Sequence, residues 1–63
     1  MSLHSFKVSE ALFRADPPFY ALIMAAMRKA DTANLLKLQA LWPEVWEELV
    51  ARYEAPGGRL DNE

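Results

Sequence analysis

The stretch WPEVWEELVARY, residues 42–53, decides the fold, because it carries the clearest helical pattern in the chain. Proline suits the first position of a helix, where its missing N–H would have no partner, so Pro43 should open this helix. At ~100° per residue, the apolar side chains share an arc about 140° wide, and glutamates lie opposite. The arc contains Val45, Trp46, Leu49, Val50 and Tyr53. The segment is therefore predicted to form an amphipathic helix that buries one face.

The residues before this segment predict another helix, which ends where the segment begins. Because Trp42 precedes a proline, it is pushed out of the helical region and should end the preceding helix. Asp31 has the short polar side chain that favours the N-cap position, so that helix should cover residues 32–41. The final helix should stop near Ala55, before the PGG run at residues 56–58.

Two more helices are predicted nearer the N-terminus. Asp16 followed by Pro17 is a capping residue followed by a proline, which is typical of a helix start, so a helix is expected from residue 17 to about residue 30. A shorter helix should begin with Ser9 as its N-cap and end near Ala15, since Asp16 precedes a proline. Residues 1–8 show no clear helical period and are expected to form an extended arm.

These segments together predict an all-α protein, a small bundle of three main helices plus a short N-terminal helix. The expected organisation is an N-terminal arm at residues 1–8, a helical domain at residues 9–55 and a flexible C-terminal tail at residues 56–63. With 63 residues, the chain holds one domain at most.

Oligomerisation is expected to complete this bundle. Folding a 7.2 kDa chain buries about 6,300 Å², and the apolar part of that area contributes on the order of 95 kcal/mol. Ordering the chain costs a similar amount, about 1.5 kcal/mol per residue. The second helix is also apolar nearly all round, and a chain this short can hardly surround it. A partner chain would supply the missing cover.

Four residues are expected to bind that partner. Tyr20, Met24 and Met27 form one apolar stripe of the second helix, where methionines can adapt to a binding surface. Trp42 lies at a turn, where less of the domain can cover it, whereas Trp46 lies in the middle of an apolar arc; either could fill the core or anchor an interface. The expected partner is a second copy, as a homodimer or higher oligomer, or a larger protein.

No catalytic, cofactor-binding or metal-binding residue is predicted. The chain has no cysteine and one histidine, His4, with no orienting carboxylate at a defined spacing. Glu44, Glu47 and Glu48 fall within one helical turn, but that turn belongs to the solvated face of its helix. The two glycines do not form a phosphate-binding loop. These features favour a non-enzymatic protein without a cofactor or a small-molecule substrate.

A membrane location is not expected. The longest uncharged run, PPFYALIMAAM at residues 17–27, is shorter than the about 20 residues that span a bilayer. The N-terminus also lacks the basic and apolar regions of a signal peptide. The sequence therefore predicts a cytoplasmic protein.

DNA binding is the alternative function. Two predicted turns each join a pair of helices, as in a helix-turn-helix protein that regulates transcription. The charges argue against nucleic acid, because the lysines and arginines are dispersed and the net charge is −2. Salt-dependent binding to DNA would distinguish this alternative from an interaction module.

Residues 30–58, ADTANLLKLQALWPEVWEELVARYEAPGG, also resemble small helical proteins encoded in bacteriophage and prophage genomes. Those proteins similarly carry an Asp followed by Asn-Leu, then an aromatic-Pro-Glu, then Glu-Leu and Arg-Tyr. The family carries no established activity. The resemblance implies a small accessory protein that acts through other proteins.

Overall fold

The computed structural model describes residues 1–61, which form four α-helices and no β-strand. The helices are α1 (Leu3–Arg14), α2 (Phe19–Lys29), α3 (Thr32–Leu41) and α4 (Pro43–Glu54), and a 3₁₀ turn follows at Pro56–Gly58. The predicted all-α class is therefore confirmed. Asn62 and Glu63, part of the predicted flexible tail, lie outside the described residues.

The N-terminal arm predicted for residues 1–8 is wrong, because these residues belong to α1. Ser2 is the N-cap, and its Oγ accepts a hydrogen bond from the Ser5 N–H at 3.1 Å. Ser9, the predicted N-cap, lies inside the helix and donates its hydroxyl to the Phe6 carbonyl at 2.6 Å. The Ser2 hydroxyl thus satisfies one of the free N–H groups at the helix start, and the helix begins about two turns earlier than expected.

The link between α1 and α2 also differs from expectation. Asp16 does not cap α2; it has a φ of +54°, and Pro18 takes the N-cap position without a side-chain hydrogen bond. The reason is that Pro17 itself precedes a proline, which keeps it out of the helical region. The helix can therefore begin only at Phe19, and Asp16, a residue type that tolerates positive φ, makes the turn.

The starts of α3 and α4 are confirmed. The Asp31 carboxylate accepts a hydrogen bond from the Asn34 N–H at 2.8 Å, which is the N-cap geometry. Trp42 has non-helical φ and ψ. It is the C-cap of α3 and the N-cap of α4, whose first residue is Pro43. These boundaries depend on hydrogen bonds and steric limits between close neighbours in sequence.

The core lies between α2, α3 and α4. Its buried members are Met27 from α2 and Val45 and Leu49 from α4. Partly buried side chains surround this cluster: Ile23, Met24, Leu35, Leu38, Trp42 and Trp46. Among residues 1–61, only these three side chains are buried, and none is fully buried, so the core is small even for a short domain.

α1 stands apart from this three-helix unit. No Cα of α1 lies within 8 Å of a Cα in α2, α3 or α4, and none of its residues is buried. The molecule is accordingly elongated, 41 × 27 × 17 Å. Its radius of gyration is 13.4 Å, against about 11 Å for a compact chain of this length.

The chain after α4 turns back onto that helix. Gly57 and Gly58 both have positive φ, which glycine adopts without steric cost, and they form the 3₁₀ turn with Pro56. The Arg52 Nη1 donates a hydrogen bond to the Gly58 carbonyl at 2.9 Å. The first residues of the tail predicted from residue 56 therefore form a turn that is hydrogen-bonded to α4.

Candidate interaction surface

One side of α1 carries two exposed aromatic rings, Phe6 and Phe13. The exposed fractions of these rings are 62% and 81%. Residues seven apart in a helix lie nearly one above the other, so the two rings lie on one side of α1. Leu3, Val8 and Leu12 are exposed as well. A water-exposed helix of a monomer would have polar residues at these positions.

A second apolar feature is a groove between α2 and α4. It has a volume of about 250 Å³ and is lined by Met27, Arg28, Trp46, Leu49, Val50 and Tyr53. The guanidinium carbon of Arg28 lies 5.8 Å from the centroid of the Tyr53 ring, which is a cation–π distance. Tyr53 is 77% exposed, so the outer end of the groove is open to solvent.

The four predicted partner-binding residues have different environments. Met27 is 3% exposed, belongs to the core and also lines the groove. Met24 and Trp42 are half-buried and pack against that core. Tyr20 is exposed and lies edge-on to Phe19, which in turn contacts the Trp42 ring at a centroid distance of 6.4 Å.

Sequence reasoning missed Phe6 and Phe13 as a pair, because residues 1–8 were expected to be extended and only Phe13 lay in the predicted short helix. Their spacing of seven residues was the available signal, together with the three-residue spacing of Ser2 and Ser5 that caps the helix. Trp46, which was expected either in the core or at an interface, packs against the core and also lines the groove.

The acidic side chains and the histidine of the described residues form no cluster of metal-ligand type. No three histidine, aspartate or glutamate side chains of residues 1–61 lie close enough to hold a metal ion. Glu44, Glu47 and Glu48 are exposed on α4, and His4 is exposed on α1. A wider groove between α2 and α3 has Lys29 and Lys37 on its border.

No family model, curated protein or solved structure matches this chain. None of the helices formed by residues 1–61 has the length and apolar character needed to span a lipid bilayer. A functional interpretation therefore depends on the surfaces described above.

Proposed function

We propose that this protein is a non-enzymatic interaction module that self-associates through the apolar side of α1. The observation that carries the proposal is that α1 exposes Phe6 and Phe13 and contacts no other helix of its own chain. The occupant of this surface is a second copy. An accessory role through protein contacts is also what the resemblance of residues 30–58 implies.

The accessible area supports self-association. The chain exposes 5446 Å², whereas a folded monomer of 7.2 kDa typically exposes about 4,100 Å². The excess of about 1,300 Å² exceeds the ~800 Å² that each partner buries in a standard protein interface. A dimer with a standard interface would therefore remove more than half of this excess area per chain.

The length of α1 supports the same conclusion. α1 has 12 residues and no tertiary contacts with the other helices. Isolated helices shorter than about 12–15 residues are marginal in water, because nucleation is costly. Contact with a second copy would supply the packing energy that stabilises helices in proteins.

The connection to α2 explains why the chain does not cover α1 itself. Pro17 and Pro18 fix two consecutive φ angles near −65°. Asp16 beside them has positive φ, so the whole link is stiff and short. Such a link holds α1 away from its own bundle, and short strained links of this kind favour exchange of an element between copies.

The test is sedimentation equilibrium of the wild type and of the double variant Phe6→Ser/Phe13→Ser. We expect the wild type to dimerise at tens of micromolar and the double variant to dissociate at least ~30-fold more readily, since losing one hot-spot side chain costs ~2 kcal/mol. The control is His4→Ser/Ala11→Ser, which changes two exposed residues on the opposite side of α1. A wild type that stays monomeric at 100 µM would refute the proposal.

DNA binding is the competing hypothesis. The structure does form two helix-turn-helix pairs, α2–α3 and α3–α4, but α4 carries four glutamates and one arginine. Such a helix would repel phosphates. Fluorescence anisotropy with a labelled duplex should show no binding at 50 mM salt, and salt-dependent binding would favour the alternative.

A further inference from the structure

The groove between α2 and α4 has the properties of a site for apolar protein side chains. Its volume of about 250 Å³ lies below the roughly 300–1,000 Å³ of typical small-molecule sites. Arg28 is its one charged lining residue, and it stacks against Tyr53 at the rim. Trp46 and Tyr53 are residue types that dominate interface energies.

The spacing of aromatic residues on α1 matches the spacing along this groove. Phe6 and Phe13 are seven residues apart, and so are Trp46 and Tyr53. At 1.5 Å per residue, each pair is separated by about 10.5 Å along its helix. Ser9, a small residue, lies between the two phenylalanines and would allow α1 to approach Leu49 and Val50 closely.

The charged residues next to these aromatic residues have opposite signs on α1 and α4. Each phenylalanine on α1 is followed by a cation, as Phe6-Lys7 and Phe13-Arg14. Each groove aromatic on α4 is followed by an anion, as Trp46-Glu47 and Tyr53-Glu54. When two right-handed helices pack antiparallel, the residue that follows each contact residue lies on the same side of the interface in both helices. Antiparallel docking therefore brings Lys7 toward Glu54 and Arg14 toward Glu47 of the other copy.

α1 does not occupy the groove of its own chain, because no Cα of α1 lies within 8 Å of a Cα in α2 or α4. The groove is therefore assigned to α1 of a second copy. Pairing of α1 with α1 of another copy is disfavoured, because each α1 carries two cations and one carboxylate and would meet a like charge.

We propose that two copies exchange their first helices, so that α1 of each copy lies antiparallel across the α2–α4 groove of the other. The inference rests on the proposed self-association and specifies its geometry. Reciprocal exchange gives a closed dimer with two equal interfaces, related by a two-fold axis. Phe6 then packs beside Tyr53 of the other copy, and Phe13 packs beside its Trp46.

A charge-reversal exchange tests this geometry. One variant is Lys7→Glu/Arg14→Glu, and the other is Glu47→Lys/Glu54→Lys. Each variant alone places like charges across both interfaces, so its dimer dissociation constant should rise about tenfold or more at low salt. An equal mixture pairs acidic α1 with basic α4 and basic α1 with acidic α4, so it should dimerise with nearly wild-type affinity.

The outcomes separate this inference from the proposed function. If wild type is a monomer at 100 µM, self-association itself fails. If wild type dimerises but only the α1 variant is weakened, α1 pairs with α1 and the exchange geometry is wrong. If the mixture recovers no affinity, the register is wrong. A mass that grows beyond two copies would contradict reciprocity.

Introduced cysteines give a second measurement, because the chain has none of its own. A mixture of Ser9→Cys and Val50→Cys chains should form the mixed disulfide under mild oxidation, since close helices bring these positions within reach. The control is Ala51→Cys, on the opposite side of α4, which should form little mixed disulfide with Ser9→Cys. Predominance of the Ser9→Cys homodisulfide would overturn the proposed geometry.

Discussion

Dilution should unfold α1 while leaving the other helices folded. α1 supplies 12 of the 45 residues in the four α-helices. It has no packing against α2, α3 or α4, so in a monomer its helix depends on propensity alone and is marginal. We expect the mean residue ellipticity at 222 nm to fall by up to about a quarter between 100 µM and 1 µM protein.

The same measurement has internal controls. Phe6→Ser/Phe13→Ser should show the lower ellipticity at every concentration, because it cannot be stabilised by a partner. His4→Ser/Ala11→Ser should follow the wild-type concentration dependence. Fluorescence of Trp42 and Trp46, which report on the three-helix core, should still indicate a folded core in the dilute sample. Ellipticity that is independent of concentration while sedimentation shows dissociation would refute the idea that contact with a second copy orders α1.

Two further predictions concern stability. Leu49→Ala should lower the free energy of unfolding by about 2–5 kcal/mol, because Leu49 is one of three buried core residues in the described chain. Urea titration measures this change. The control is Leu36→Ala at an exposed position, whose free energy of unfolding should lie within ~0.5 kcal/mol of wild type. Asp31→Ala should cost about 0.5–2 kcal/mol and Asp31→Asn much less, since asparagine also caps helices. Asp16→Asn should leave stability unchanged, because Asp16 caps no helix and asparagine tolerates positive φ; equal losses at both aspartates would contradict these assignments.

The proposed dimer geometry relates the stability of the chain to its assembly. In the described residues the core has three buried side chains, and the groove beside it is lined in part by Trp46 and Tyr53. Seating another copy's α1 there would bury that surface and enlarge the core at once. Stability and assembly would then be coupled, and the melting temperature would rise with protein concentration.

Helix boundaries in the second half of the chain could be predicted from sequence, because they depend on short-range effects. The Asp31 cap is a hydrogen bond to an N–H three residues away, and the start of α4 follows from the steric limits that Pro43 imposes on Trp42. The same reasoning failed at Asp16, where a second proline changed which residue could enter the helix. It failed at Ser9 because Ser2 and Ser9 are both favoured N-cap residues, and the capping hydrogen bond from the Ser5 N–H is made to Ser2.

Which side chains are buried was decided by tertiary structure alone. Because α2 is apolar nearly all round, its sequence pattern does not distinguish Met27 from Tyr20 or Met24. Packing against α4 selects Met27 for the core and leaves Tyr20 exposed. The separation of α1 is likewise a three-dimensional result, because it depends on the direction in which Asp16, Pro17 and Pro18 send the chain. The sequence by itself determined the helices and most of their ends, since those depend on near neighbours; burial and the unpartnered surface depend on how the helices meet in space.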